Sequence, residues 1–170
     1  MKSVLLKKFQ LICSFWLITA SSCIAAQNQI ITSSLTETSI ISGGLTSLSV
    51  TYATTGQVLS TGLALRLHYD SSALSCGESE ITNLLTESNI GLQVSDDVSD
   101  HDNDVNTDKY LLTAWASING NWPSSSPLPA DLYTVACTAL DDFSGTTLNF
   151  SQSSGASGFD FVSSEVIIAQ

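Results

Sequence analysis

The sequence predicts an all-β fold, a mainly antiparallel, jelly-roll-type β-sandwich of about eight or nine strands. Three observations support this prediction. Apolar and polar residues alternate with a period of two in many short segments, the pattern of strands that bury one face. Stretches rich in Ser, Thr, Asn and Gly separate these segments. No regular series of helical segments comes between them, so the pattern is not that of an α/β protein.

The clearest strand is GLALRLHYD at residues 62–70. Leu65 and Leu67 point to one face, whereas Arg66 and His68 point to the other, where we expect His68 to be solvated. Further strands are predicted at 45–53, 110–117, 132–140, 146–150 and 165–169, with weaker candidates at 37–42 and 90–95. The one helical candidate is 79–88, where the spacing of Ile81, Leu84 and Leu85 predicts one or two turns.

The first 26 residues have the pattern of a secretory signal peptide of bacterial type. Lysines at the start precede an apolar run at 11–20, and small residues lead to a cleavage site after Ala25 or Ala26. The apolar run is shorter than the roughly 20 residues that span a membrane. We therefore expect a secreted or cell-surface protein that does not itself insert into the membrane.

Cys23 offers an alternative to cleavage after an alanine. A lipid attached to this cysteine would make the protein an outer-membrane lipoprotein. Ala20, Ser21 and Ser22 precede it, without the large apolar residue that a lipoprotein signal usually has. Cleavage without lipidation is the favoured prediction.

Residues 27–170 are expected to form a single, strongly acidic domain. After removal of the signal, Arg66 and Lys109 remain against 16 acidic residues, a net charge of about −14. Such a surface repels the phosphate backbone of nucleic acids and anionic membranes. The expected partners are an extracellular protein or a polysaccharide.

Two cysteines, Cys76 and Cys137, remain in this domain. In an oxidising compartment a disulfide between them is the favoured prediction, and two separate buried thiols are the alternative. Neither cysteine has the spacing of a zinc or redox motif.

The stretch LALRLHYDSSALSC resembles the early strand and turn of cohesin domains, in which an amphipathic strand ends in Tyr-Asp. The segments LPADLYTVACTAL, TTLNFSQSS and EVIIA follow in the order of the closing strands of that family. Only YDSSAL is close in residues. The resemblance extends to the jelly-roll sandwich that cohesins share with several carbohydrate-binding modules. It implies an extracellular scaffolding or adhesion module without catalysis.

An acidic stretch between two predicted strands suggests calcium binding. Oxygen-bearing side chains recur at every second residue: Asp100, Asp102, Asp104, Asn106 and Asp108. A curved loop with this spacing converges the oxygen ligands that calcium prefers. It is not an EF-hand, because Val105 replaces the turn glycine and Leu111 the last glutamate. Asp96 and Asp97 are possible additional ligands, and a solvated acidic loop is the alternative.

Two further functions stay open as alternatives. A carbohydrate-binding module would use Trp122, in a turn-rich loop, or Trp115 to stack on a sugar, unless both pack in the core. A small secreted glycoside hydrolase would use a pair of carboxylates. Against catalysis, His68 and His101 are the only histidines, and the sequence has no nucleophile elbow or His-Glu-x-x-His motif.

Overall fold

A computed structural model describes residues 26–77, 81–85 and 89–170 of the 170-residue chain. In this part of the chain, eleven strands form two β-sheets that enclose one hydrophobic core. The strands are β1 (Gln27–Leu35), β2 (Leu45–Thr54), β3 (Gly62–Tyr69), β4 (Leu74–Ser75), β5 (Ile81–Asn83), β6 (Asn89–Asp96), β7 (Lys109–Ala116), β8 (Ala130–Ala139), β9 (Thr146–Gly155), β10 (Phe159–Val162) and β11 (Val166–Ile168). A short 3-10 turn, Thr55–Gln57, follows β2.

Both sheets are mainly antiparallel. Sheet one has the order β10-β1-β2-β8-β4, and β5 also pairs with β8. Its one parallel pair joins β1 to β10. Sheet two has the order β11-β9-β3-β7-β6, with antiparallel neighbours throughout. The predicted all-β sandwich is therefore confirmed.

The alternating residues face inward as predicted. Leu65 and Leu67 of β3 and Val50 and Tyr52 of β2 are fully buried. They meet the inward side chains of β8, such as Val135, in a single cluster. Burying a large apolar side chain contributes about 1.5–3 kcal/mol, so this alternation is the main source of stability.

The number of strands exceeds the prediction because β1, β4, β5 and β10 were not predicted. Of these, β4, β5 and β10 have only two to four residues each, too few to show alternation, whereas the predicted strand at 165–169 is confirmed as β11. The weak candidate at 90–95 is confirmed as part of β6. The candidate at 37–42 is wrong, since Ser39 makes only an isolated bridge to Ala169.

The predicted helical turns at 79–88 are also wrong where the structure describes them. Ile81–Asn83 form β5, whose backbone pairs with β8. Inter-strand hydrogen bonds at the sheet edge outweigh a helical spacing of only three apolar residues. Residues 78–80 and 86–88 lie outside the described part.

The predicted disulfide is confirmed. Cys76 and Cys137 are bonded, with their Cα atoms 4.5 Å apart and a sequence separation of 61. Both are buried. The bond fixes the segment that follows β4 against β8.

The predicted signal peptide falls almost wholly on residues 1–25, outside the described residues, so it stays a prediction. In the described part of the chain, no helix has the length and apolar composition needed to cross a membrane.

The connection between β6 and β7, residues 97–108, is here called the acidic loop. Asp96 and Lys109 form the last pair of the two strands, and the Asp97 N–H donates to the Asp108 carbonyl across the base of the loop. The loop is long enough to fold back over the outer face of sheet two. That position brings its carboxylates to the end of β3.

Candidate metal centre

His68 lies on the outer face of sheet two, near the end of β3. Its strand neighbours are Tyr110 on β7 and Asn149 on β9. The sequence predicted a solvated side chain, and this is wrong, because His68 is fully buried. The acidic loop covers the outer face at this point and excludes water from the imidazole.

Two carboxylates of the acidic loop meet the imidazole. His68 Nδ1 lies 2.8 Å from Asp97 Oδ2 and 3.8 Å from Asp102 Oδ1. The Asp97 and Asp102 side chains are 0% and 2% exposed. One ligand atom of each residue lies within 4.8 Å of those of the other two. These three residues are called the His68 cluster below.

The two nitrogens of His68 have different surroundings. Nε2 makes a 2.7 Å hydrogen bond with Ser151 Oγ on β9. Nδ1 is buried without a hydrogen-bond partner in the described structure. Asp97 Oδ2 lies 2.8 Å from it and acts to raise the pKa of the imidazole. In the tautomer whose Nε2–H donates to Ser151, Nδ1 carries a lone pair that faces the carboxylates.

Hydrogen bonds hold both carboxylates in place. The Asp97 oxygens accept from the His101 N–H at 3.2 and 3.1 Å. Asp102 Oδ2 accepts from Thr107 Oγ1 at 2.8 Å and from Asn149 Nδ2 at 3.2 Å. Supporting groups of this kind orient metal ligands in known sites. The carboxylates are therefore fixed toward His68 by neighbours from the loop and from β9.

The charge of the His68 cluster is not balanced by the chain. Burial lowers the pKa of the His68 imidazole, although the carboxylates of Asp102 and Asp97 act in the opposite direction. Arg66, two residues away, lies over the Tyr110 ring and makes no ion pair with a described acid. Two buried carboxylates that no described Lys or Arg pairs with are unfavourable, so the cluster suits a cation.

The other predicted calcium ligands do not join this cluster. Asp104 Oδ1 accepts from the backbone and side chain of Asn106, and the backbone bond lowers the pKa of Asp104. Asp108 accepts two 2.7 Å hydrogen bonds from Ser71. These bonds lower the pKa of Asp108 against the opposing effect of burial. Asp104 therefore stabilises a turn of the loop and also contacts Asn149 of β9, whereas Asp108 ties the end of the loop to the segment after β3.

The two remaining acids of the prediction lie at the edge of the loop. Asp96 is 75% exposed and lies 3.8 Å from Lys109. Asp100 has a positive φ of 50°, and its Oδ1 is buried without a hydrogen-bond partner in the described structure. Of the seven predicted ligands, Asp97 and Asp102 meet at His68, whereas Asp96, Asp97, Asp100, Asp104 and Asp108 line one pocket of the acidic loop. Sequence reasoning missed His68 because alternation does not show which loop covers an outer face.

The tryptophans of the carbohydrate hypothesis are both buried, Trp115 at 2% and Trp122 at 1% exposed. Trp122 packs on Tyr52, with ring centroids 4.3 Å apart, and its backbone pairs with Ser60. The indole of Trp115 donates to the Leu85 carbonyl. The suggested sugar contact is therefore wrong for this structure, since neither ring face is open to a ligand. Core packing, the other interpretation, is correct for both.

Fold and site together define a class of protein: a cohesin-like β-sandwich that carries an acidic loop and a buried histidine. A type II cohesin domain from the cellulosome of Acetivibrio cellulolyticus is similar, with a TM-score of 0.51 at 14% identity over 84% of this chain and 95% of that one. The sixth cohesin of scaffoldin B from the same organism, solved in complex with a Cel5 dockerin mutant, gives 0.52 at 9% identity over 85% and 98%.

A second type II cohesin module, from an adaptor scaffoldin of Acetivibrio cellulolyticus, gives a TM-score of 0.50 at 15% identity over 84% of this chain and 97% of that one. No protein-family model matches the sequence, and no curated protein is similar to it in sequence. At these identities the likeness establishes the fold. The resemblance that the sequence showed to cohesins is confirmed at that level.

Proposed function

We propose that this protein is an exported, non-catalytic cohesin-like module that binds another protein at the cell surface, in adhesion or assembly. One observation carries the proposal. The similarity spans 84–85% of this chain and 95–98% of three cohesin domains, so it covers a whole module rather than a shared motif. One of those cohesins was solved with a dockerin bound. A protein partner of that general kind is the natural expectation for this chain.

The burial of the His68 cluster supports a non-catalytic role. A glycosidase needs two carboxylates that reach the scissile bond. Asp97 and Asp102 are almost completely buried beneath the loop, beside a buried imidazole. The carbohydrate-binding alternative relied on Trp115 and Trp122 to stack on a sugar, and both side chains are buried in the core.

Export is part of the same proposal. The pattern of residues 1–26 supports it, and so does the Cys76–Cys137 bond, since disulfides form in oxidising compartments. The test is the intact mass of the protein recovered from the medium or the cell envelope. We expect a chain that begins at Ala26 or Gln27. A diacylglyceryl mass on Cys23 would instead identify a lipoprotein.

A divalent cation in the acidic loop is a further part of the proposal, with calcium as the ion that the sequence suggests. The two buried carboxylates of the His68 cluster support it, because an ion would neutralise them. An ion at a hundred times its dissociation constant would stabilise the fold by about 2.7 kcal/mol. Thermal unfolding in calcium and in chelator measures this directly. Equal melting temperatures would argue against calcium.

The test of the assembly function is a binding experiment on the purified exported chain. The probes are recombinant dockerin modules, insoluble polysaccharides and chromogenic glycosides, and in-cell cross-linking identifies the natural partner. We expect a saturable one-to-one complex with a protein, no retention on polysaccharides and no turnover. Binding to a polysaccharide without any protein partner would contradict the proposal, as would turnover lost in an Asp or Glu variant.

A further inference from the structure

His68 carries the strongest unexplained feature of the described structure. Its side chain is fully buried and Nδ1 has no hydrogen-bond partner there. A buried polar nitrogen without a partner is unfavourable, and native proteins rarely leave one. The nitrogen nevertheless faces two carboxylate oxygens at 2.8 and 3.8 Å. In the tautomer with the proton on Nε2, the Nδ1 lone pair and the two carboxylates repel one another unless a positive charge lies among them.

We propose that His68 Nδ1, Asp97 and Asp102 bind one divalent first-row transition-metal ion, represented by Zn²⁺, in preference to calcium. The inference rests on the proposed cation in the acidic loop and is independent of the assembly function. It assigns the ion to three side chains from β3 and the loop. It also changes the expected metal.

The distances fit a single ion. Zinc lies about 2.0–2.2 Å from nitrogen and carboxylate ligands, so two ligand atoms on one ion are about 3.0–3.6 Å apart. The Nδ1 contacts at 2.8 and 3.8 Å lie on either side of that range. Shifts of a few tenths of an ångström at the loop carboxylates would place both at a coordinating distance. No movement of the β3 backbone is required.

The ligand types select the metal. Calcium binds six to eight oxygen ligands and rarely coordinates an imidazole nitrogen. A set of one imidazole and two carboxylates suits zinc, manganese, iron or cobalt. The hydrogen bond from Nε2 to Ser151 supports this role, since it fixes the ring and leaves Nδ1 free to coordinate. The bonds from His101, Thr107 and Asn149 orient the two carboxylates in the same way.

The charges agree with the ligand types. The two buried carboxylates have no described Lys or Arg as a partner, and a divalent ion would supply the missing positive charge. The acidic loop then remains bound to sheet two by coordination, through Asp97 at its base and Asp102 near its middle. Removal of the ion would weaken this contact more than any other part of the fold.

The first experiment titrates the chelator-treated exported chain with Zn²⁺, Co²⁺ and Ca²⁺ by calorimetry. We expect one Zn²⁺ site at least a hundredfold tighter than calcium. His68→Gln should lower the Zn²⁺ affinity. Loss of a supporting group typically lowers metal affinity about 10–100-fold, and loss of the His68 ligand should lower it by more. His101→Gln is the matched control, because it keeps the backbone N–H that donates to Asp97, and its side chain is 35% exposed and does not belong to the cluster. The Zn²⁺ affinity of this variant should stay within about threefold of that of the wild type.

A second measurement uses the unaltered chain, in case His68→Gln fails to fold. The sequence has only two histidines, so the ring nitrogens of both are resolved in a long-range ¹H–¹⁵N spectrum. Zn²⁺ should shift Nδ1 of His68 and leave Nε2 protonated toward Ser151. A shift confined to His101, or equal losses in the two histidine variants, would overturn the assignment.

The outcomes separate the two proposals. Calcium binding without Zn²⁺ binding would overturn this inference and leave the proposed calcium loop standing. Binding of neither ion would overturn both, and the assembly function would still be tested by its own experiment. Zn²⁺ binding that requires His68 would support the inference and replace calcium as the expected ion.

Discussion

Two buried polar clusters in this sandwich differ in how completely the chain satisfies them. The first, called the Gln29 cluster, consists of Gln29, Tyr52 and Ser60 inside the sandwich. Gln29 Nε2 donates to the Tyr52 hydroxyl at 2.8 Å and to the Gly62 carbonyl at 3.0 Å. Its Oε1 accepts from the Ala156 N–H at 3.1 Å. This amide is uncharged and its hydrogen bonds are made within the chain.

The His68 cluster has the opposite character. It is also buried, but it holds two carboxylates and an imidazole whose Nδ1 has no hydrogen bond in the described structure. A neutral cluster whose hydrogen bonds are all made within the chain needs no ligand and acts as part of the fold. An unsatisfied charged cluster implies a missing partner. The comparison therefore assigns a structural role to Gln29 and a ligand-binding role to His68.

The largest expected effect lies beside the Gln29 cluster. Trp122→Ala removes a buried indole that packs on Tyr52 and should destabilise the fold by about 3–5 kcal/mol. The loss should be the same with Zn²⁺ and with chelator, because the site is remote from the acidic loop. Ile118→Ala is the control, since this side chain in the same connection is fully exposed. Denaturant unfolding of both variants measures the difference, and a small effect of Trp122→Ala would show that the ring is not in the core.

Trp122 also shows where sequence reasoning stops. The inward residues of β3 were predicted because alternation is a local pattern. Burial of Trp122 depends on backbone pairing with Ser60, 62 residues earlier in the chain. Burial of His68 likewise depends on a loop that begins 29 residues later and folds over the sheet. The acidic composition predicted a cation site that included Asp97 and Asp102, but alternation alone placed His68 in solvent.

Gln29→Leu tests the Gln29 cluster itself. The change keeps the volume but leaves the Gly62 carbonyl and the Ala156 N–H without their partners. Each unsatisfied buried group costs about 1–3 kcal/mol, and we expect a total of about 2–3 kcal/mol. The exposed Gln93→Leu on β6 is the control and should change the stability little. If Gln29→Leu responded to metal, the proposed separation of the two clusters would be wrong.

Neutralising the His68 cluster should change stability in opposite directions with and without metal. In chelator, Asp97→Asn with Asp102→Asn removes the repulsion between two buried charges and should stabilise the fold by about 1 kcal/mol. In Zn²⁺ the same variant should be less stable than the wild type, because it loses its ligands. Thermal unfolding under both conditions decides this. Destabilisation of equal size in both would mean that the carboxylates act only through hydrogen bonds.

The smallest effect is expected one residue away, at Asp96. This carboxylate is 75% exposed and lies 3.8 Å from Lys109, so the pair is worth less than about 0.5 kcal/mol. Asp96→Asn should leave both the stability and the Zn²⁺ affinity close to those of the wild type, and salt should remove any residual difference. Asp96 and Asp97 are neighbours in sequence, but only Asp97 is buried against His68. A loss of Zn²⁺ affinity in Asp96→Asn similar to that in an Asp97 variant would show that overall loop charge, rather than the geometry of the His68 cluster, attracts the ion.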